Sequence, residues 1–340
     1  MISRPILSTP RRRLLKTAGG LAGILALGHA PAFAQTQPKK LVLPNITPPP
    51  EASGVMLKWM AEQITERTKG ELQVEFHGGT LLTKEIDVMN AVKSGNAAIG
   101  TPSGAAATIF PELGVFLVGY LIQNYPHAYK ILNGEVGDKL DEIFQQKYGV
   151  KVLFYYDLGF RHFWNSKRAI NEPRDLRGLK MRAQPSKVFT DTVNGLGAVA
   201  VPMGWAEVIT AAQQGVIDGA DLPVSNMEPL KVYEVSKYYS LTGHNYGSTL
   251  TVMNLGVWNG LTPAQQKLVL DIGRETQGRS RAFMEGADNE KSARGLLEPH
   301  GMTVNMPNRE PFVKLAMEKV WPAYQKQYAE LWDKIVSVKA

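Results

Sequence analysis

The chain has 340 residues and no cysteine, with 44% hydrophobic and 20% charged residues and 38 Lys and Arg against 31 Asp and Glu. This length and apolar content are enough to bury two cores, and the missing cysteines exclude disulfides, iron–sulfur clusters, thiolate zinc sites and cysteine nucleophiles. The formal charge of +7 would by itself favour an anionic partner such as nucleic acid or a membrane surface.

Residues 1–34 are predicted to be a secretory signal peptide. Arg4, Arg11–Arg13 and Lys16 accompany a Gly/Ala/Leu stretch that ends at Ala32–Ala34, an A-x-A pattern, and the segment has no acidic residue. The Arg11-Arg12 pair resembles a twin-arginine export signal, with ordinary secretion as the alternative. Removing these residues leaves a charge of about +2, so the basic composition does not indicate a nucleic-acid partner.

The first half of the remaining chain alternates strand and helix patterns. The predicted elements are a strand at 41–44, a helix carrying Met56, Met60 and Ile64 that ends at Gly70, a strand at 72–76, a helix at 83–94, a helix from Ile131 that ends at Gly149, and a strand at 150–155.

The second half keeps this alternation. Its predicted elements are a strand at 179–182, a helix capped by Ser186 that runs to 196, a strand at 198–201, a helix at 206–214, one long helix from Thr262 to Leu297, and a last helical segment from Pro311 kinked at Pro322. Alternating strands and helices predict an α/β protein with mainly parallel sheets. No later segment is apolar over the 18 residues that indicate a membrane helix.

Motifs for catalysis or metal binding are missing from the sequence. The five histidines after residue 34 include no helical pair, and there is neither a nucleophile elbow nor a phosphate loop. We therefore expect no metal ion and no cofactor. Paired carboxylates need no motif, so an extracytoplasmic hydrolase or lyase stays open as an alternative.

Two residues of the second half stand where a ligand could bind. Arg182 ends a predicted strand, and the carboxyl ends of strands face the ligand crevice in open α/β sheets. A guanidinium offers a planar fork that matches a carboxylate, although a structural ion pair with Asp or Glu is the alternative. Trp205 opens the next helix, where an indole either walls a pocket or packs in the core.

Four segments of residues 159–219 occur in an order typical of one protein family. They read GFRHFWNSKRAI, DLRGLKMRAQ, GAVAVPMGWAEV and QQGVIDG. With Gly78-Gly79-Thr80-Leu81 and the AVKSGNAAIG run before them, this order resembles the substrate-binding subunits of tripartite ATP-independent periplasmic (TRAP) transporters, the DctP family. The resemblance covers essentially the whole chain after the signal peptide.

The resemblance implies a two-lobed periplasmic-binding-protein-like fold with the ligand cleft between the lobes and a long bridging helix. Lobe I would comprise 35–158 plus about 245–285, and lobe II 159–244 plus about 286–340. The protein would be a monomer in the periplasm, without enzymatic activity, that delivers a small organic acid to the membrane permease of a TRAP transporter. A ligand-sensing partner of a signalling receptor is a weaker alternative.

The resemblance also implies the site. Arg182 would hold the ligand carboxylate and Arg161 would be a second cationic contact. The candidate ligand-binding residues are Arg182, Arg161, Trp205, Ser103, Asp221 and Phe163.

Two departures from the family pattern bear on the ligand. Leu222 stands where relatives often carry an Asn that contacts it, and Trp164 where a small hydroxyl residue is frequent. Few polar groups then remain beside Trp205, so we expect a sparsely hydroxylated acid, aromatic or branched, rather than a sugar acid.

Overall fold

The computed structural model of the chain describes residues 37–49, 51–102 and 104–339. The predicted signal peptide and Ser103 lie outside these residues. Within the described ranges, no helix has both the length and the apolar character that crossing a membrane requires.

The strands of the described ranges form two sheets. They are β1 (Lys39–Asn45), β2 (Leu72–Gly78), β3 (Ile99–Gly100), β4 (Val150–Asn165), β5 (Lys180–Ala183), β6 (Val199–Pro202), β7 (Gly219–Leu222), β8 (Tyr238–Asn254) and β9 (Thr303–Asn305). β1 and β2 form a parallel pair. The other seven strands form one sheet in the order β3-β8-β4-β7-β5-β6, with β9 beside β8.

The seven-stranded sheet is mixed, so the prediction of mainly parallel sheets is confirmed for β1–β2 and around β5 but not for β4 and most of β8. β5 runs parallel to β6 and β7, and β9 runs parallel to β8. β4, however, is antiparallel to both β7 and β8, and β3 is antiparallel to β8. The β4–β8 pair is antiparallel because the chain crosses the molecule along β4 and returns along β8.

The fold has two lobes, and the two longest strands run through both. β4 has 16 residues and β8 has 17, which corresponds to about 50 Å each. Leu153, near the start of β4, packs with Leu57 in one apolar cluster, whereas Trp164, near its end, packs with Val208 in another. The register between β4 and β8 shifts at three places, one of them between Asp157 and Gly159.

Helices cover the sheets. The α-helices are α1 (Ala52–Arg67), α2 (Glu85–Ser94), α3 (Tyr125–Leu132), α4 (Glu135–Ile143), α5 (Lys187–Gly195), α6 (Trp205–Gln213), α7 (Val224–Met227), α8 (Leu255–Asn259), α9 (Pro263–Ala287), α10 (Glu290–Leu297), α11 (Glu310–Lys319), α12 (Trp321–Gln325) and α13 (Ala329–Ser337). A third apolar cluster joins helices from distant parts of the chain, including Leu140 of α4, Phe189 of α5 and Trp332 of α13.

The predicted long helix from Thr262 to Leu297 is in fact two helices. The capping box of Thr262 and Gln265 is present, and α9 extends over 25 residues, about 37 Å. The helix ends because Asp288 leaves the helical conformation, and its carboxylate accepts hydrogen bonds from the Tyr125 hydroxyl (2.6 Å) and the Phe160 amide (2.7 Å). Asn289 then caps α10.

Two further local predictions need correction. The single helix predicted from Ile131 to Gly149 is interrupted at Asn133-Gly134, so that α3 and α4 are separate and a π-helical turn, Phe144–Tyr148, follows. Ser186 stands at the N-cap of α5, but its hydroxyl makes no capping hydrogen bond. The last segment does break beside Pro322, as predicted, between α11 and α12.

Candidate functional site

Arg182 is a buried cation that has no carboxylate partner in the part of the chain that the structure describes. It is the third residue of β5, and its side chain extends where the strand ends; the residue is 4% exposed. Its Nε donates to the Met203 carbonyl at 3.0 Å. Among the described residues, no Asp or Glu oxygen lies within ion-pair distance of its guanidinium. Burial lowers the pKa of Arg182 to about 10, although nearby Asp221 opposes this shift, so the group stays charged at neutral pH.

Trp205 lies beside that cation. It is the first residue of α6, directly after the β6 strand and Gly204, and it is half-buried. The guanidinium carbon of Arg182 lies 5.8 Å from the centre of the indole ring, within cation–π distance. The helix start therefore places an apolar wall next to the guanidinium.

Arg161 has a partner, unlike Arg182. On β4 it donates from Nε and Nη2 to the two carboxylate oxygens of Asp221, both at 2.8 Å, and from Nη2 to the Asp221 carbonyl at 2.6 Å. Burial of the guanidinium acts to lower the pKa of Arg161, but the Asp221 carboxylate outweighs this effect and raises it. Nη1 of Arg161 makes no hydrogen bond to the described part of the chain. Phe189 of α5 lies 5.9 Å from this guanidinium.

His244 completes a buried polar chain behind Arg161. Its Nε2 lies 3.2 Å from the Asp221 carboxylate, which can only accept, so Nε2 carries the proton. Nδ1 then accepts from the Thr242 hydroxyl at 2.9 Å. Burial lowers the pKa of His244, and the imidazole is neutral. Despite its burial, the pKa of Asp221 is held well below the usual range by Arg161 and His244.

The other predicted residues fall into supporting positions. Phe163 is fully buried and stacks on the His244 ring, with centroids 3.8 Å apart. Both Asp221 oxygens are occupied, so Asp221 holds Arg161 in place. Leu222 and Trp164 both lie in the apolar cluster that includes Val208. Because Leu222 is core, its lack of a hydrogen-bonding group removes nothing from the site.

Reasoning from the sequence missed two residues of the site, His244 and Asn245. Asn245 stands opposite Arg161 in the β4–β8 register, and its amide nitrogen donates to the Leu117 carbonyl. Both residues lie in β8, which has no clear period of two because its central residues are buried on both faces. Only the Thr-Gly-His-Asn run marked the segment as polar.

The described residues contain no group of three His, Asp or Glu side chains that could hold a metal ion. The geometry instead provides two buried guanidinium groups, one unpaired and one oriented by a carboxylate, with aromatic rings beside them. This arrangement recognises an anion, and a planar carboxylate matches it best.

Comparison with known proteins agrees with this chemistry. Residues 45–330 match the family model described as bacterial extracellular solute-binding protein, family 7 (DctP). A solute-binding protein of Verminephrobacter eiseniae is 34% identical over 281 residues, which cover 82% of each chain.

Solved structures extend the likeness. A TRAP periplasmic solute-binding protein of Bordetella bronchispeptica, with bound density interpreted as pantoate, has a TM-score of 0.80 and 28% identity over 89% of this chain and all of that one. A TRAP periplasmic solute-binding protein of Roseobacter denitrificans with bound β-D-glucuronate has a TM-score of 0.81 and 27% identity, covering 88% of this chain and all of that one.

Proposed function

The chain belongs to the DctP family of bacterial extracellular solute-binding proteins, and from that premise we propose that Arg182 anchors the carboxylate of its ligand. The protein is a periplasmic solute-binding protein of a TRAP transporter, not an enzyme; it binds a small organic acid and works with membrane permease components. The resemblance inferred from the sequence is thereby confirmed, and a hydrolase or lyase activity has no support.

The observation that carries the proposal is the unpaired charge of Arg182. A buried cation without a counter-ion costs free energy, and structural arginines are normally paired. A ligand carboxylate supplies the missing partner through two parallel hydrogen bonds. The alternative of a structural ion pair applies to Arg161, which has Asp221, and not to Arg182.

Arg161 acts as the second cationic contact. Asp221 and His244 hold its guanidinium in one orientation, which leaves Nη1 available to a ligand oxygen. A pre-oriented donor loses little entropy when the ligand arrives, so it contributes more to affinity than a mobile one. Asp221 and Phe163 then belong to the support of the site.

The ligand class follows from the groups that flank the two arginines. Trp205 and Phe189 are apolar walls, and Arg161 and His244 already fill three acceptor positions of the Asp221 carboxylate, which leaves it little capacity for sugar hydroxyls. Burying hydroxyl groups without partners is unfavourable. We therefore expect a branched or aromatic acid with few hydroxyls, closer to pantoate than to glucuronate. Ser103 is a candidate hydroxyl contact in the same proposal.

Binding occurs between two lobes that close on the ligand. The proposed limits are 35–158 plus about 245–285 for lobe I and 159–244 plus about 286–340 for lobe II. The register shift at Asp157/Gly159 and the end of α9 support two of these limits. The C-terminal helix α13, which these limits assign to lobe II, packs on α4 of lobe I through pairs such as Lys334–Glu135 (2.8 Å), so the end of the chain contacts both lobes.

Export and assembly complete the proposal. The Arg11-Arg12 pair supports twin-arginine export of the folded chain, followed by removal of residues 1–34. The near-neutral charge of the remaining chain supports the absence of a nucleic-acid partner, and the mature protein is proposed to be a monomer.

The function is tested with the ligand that copurifies with the protein, released by denaturation and identified by mass spectrometry. The refolded protein should regain thermal stability with that acid alone, following RT ln(1 + [L]/Kd), and should leave it chemically unchanged. Conversion of the stabilising compound to product would refute a binding function. Recovery of only polyhydroxylated acids would refute the proposed ligand class but not the carboxylate anchor.

A further inference from the structure

A second cavity, here named the rear cavity, lies apart from the residues around Arg182. Its volume is about 250 Å³, and its walls include Tyr125, Phe160, Leu241, Asp288, Met306 and Arg309. Met306 is 63% exposed and marks its opening to solvent. Four of these side chains form an apolar part of the wall beside Arg309, and polar side chains, among them Gln123, Asn124 and Asn289, line the rest.

The rear cavity lies on the face of β4 opposite Arg161. Side chains of successive strand residues point to opposite faces, so Phe160 and His162 point away from the side of Arg161. His162 is fixed there, because its Nδ1 accepts from the Gly243 amide at 2.9 Å and its Nε2 faces Asp288 at 3.3 Å. A molecule in the rear cavity therefore contacts neither Arg182 nor Arg161.

Arg309 is the unpaired charge of this cavity. Its Nη1 and Nη2 donate to the carbonyls of Gln123 (3.2 Å) and Gly243 (3.0 Å), while its buried Nε has no partner among the described residues. Rings of Tyr120 and Phe160 lie 5.5 and 5.9 Å from the guanidinium carbon. No Asp or Glu oxygen among the described residues lies within ion-pair distance of the Arg309 guanidinium. Burial without a counter-ion lowers the pKa of Arg309.

The two acidic residues of the wall, Asp288 and Glu290, already accept hydrogen bonds from other groups of the protein. Asp288 accepts from Tyr125, the Phe160 amide, His162 and the Val224 amide. Glu290 accepts from Arg294 through Nε (2.9 Å) and Nη2 (2.8 Å). Asp288 keeps its negative charge, but its acceptor positions are filled, so Arg309 is the charged side chain of the wall that can still hydrogen-bond to a ligand anion.

We propose that the rear cavity is a second binding site, which takes a small monocarboxylate with an aromatic or branched apolar body. The carboxylate pairs with Arg309, and the apolar body lies between Phe160, Leu241 and Met306, with the perpendicular rings of Tyr125 and Phe160 (centroids 5.1 Å apart) closing one end. This site is separate from the cleft of the proposed function and does not depend on it.

Two matched probes locate the site directly. Crystals are soaked in 4-bromobenzoate or in (4-bromophenyl)trimethylammonium, which share the ring and bromine but carry opposite charges. The anomalous signal of bromine should appear in the rear cavity with the benzoate, its carboxylate within hydrogen-bond distance of Arg309, and not with the ammonium. A bromine peak for the benzoate only in the cleft, or the ammonium ion in the rear cavity, would overturn the proposal.

Solution titrations then separate the two sites. In an Arg182→Met background, which disables the cleft, benzoate should still stabilise the protein, and adding Arg309→Met should weaken that binding by about tenfold or more. Leu241→Trp, which fills the cavity and keeps Arg309, should also abolish binding, so the result does not rest on one variant. If benzoate binding disappears with Arg182→Met alone, the rear site is refuted while the cleft proposal stands.

Discussion

Replacing Arg182 by Met should lower ligand affinity and yet stabilise the empty protein. The side chains have similar length, so the change mainly removes the charge. Breaking a buried ion pair by removing one partner costs roughly 3–5 kcal/mol, which corresponds to at least about a 100-fold loss of affinity for the organic acid. This loss would fall on the complex alone, because Arg182 has no carboxylate partner among the described residues of the empty protein.

The gain in the empty protein follows from the burial of Arg182. A pKa lowered from 12.5 to about 10 corresponds to on the order of 3 kcal/mol by which burial disfavours the charged form. Met removes this cost, but it also removes the hydrogen bond to the Met203 carbonyl and the contact with Trp205. A net rise of about 1–2 kcal/mol in the free energy of unfolding is expected.

Chemical denaturation of the ligand-free protein and calorimetric titration with the copurified acid measure the two effects separately. Wild-type protein stripped of ligand by unfolding and refolding is the reference. The reasoning fails if Arg182→Met keeps the wild-type Kd, because the carboxylate would then bind elsewhere. A loss of several kcal/mol of stability in the empty variant would instead show that Arg182 has a structural partner.

The other predictions concern residues around the site and at the crossing between lobes. Arg161→Met should destabilise the empty protein by about 3–5 kcal/mol, because it leaves the Asp221 carboxylate buried without its cation; denaturation curves as stable as wild type would contradict this. Trp205→Ala should weaken ligand binding about tenfold in calorimetry. The free energy of unfolding should change little, because the indole is half-buried at the start of a helix. An unchanged Kd would exclude Trp205 from the cleft wall. Burial raises the pKa of Asp157 to about 7, with Arg281 opposing, so between about pH 4 and 7 the native state keeps a proton that the unfolded chain has lost. As the pH rises from about 4 to 7, the free energy of unfolding of wild type should therefore fall by a few kcal/mol relative to that of Asp157→Asn. Parallel pH profiles of the two proteins would refute the raised pKa.

Local patterns predicted many elements because their causes are local. The period of two in Leu72, Val74 and Phe76 gave β2, and the capping box at Thr262 gave the start of α9. β8 was missed, since a strand buried on both faces lacks this alternation. The end of α9 at Asp288 was missed as well, because Tyr125 and the Phe160 amide, both more than 100 residues away in the chain, hold its carboxylate.

The sequence by itself determined that the first 34 residues resemble an export signal, that the rest is a nearly neutral α/β chain without thiol chemistry, and that its motifs resemble one transport family. It could not decide which of the two arginines has a counter-ion within the protein. That decision depends on the order of strands in the sheet. β7 pairs with β4 and brings Asp221 to Arg161, 60 residues away, whereas no carboxylate among the described residues reaches Arg182. Composition sets the number of charges, but only the tertiary structure determines which of them remain unpaired.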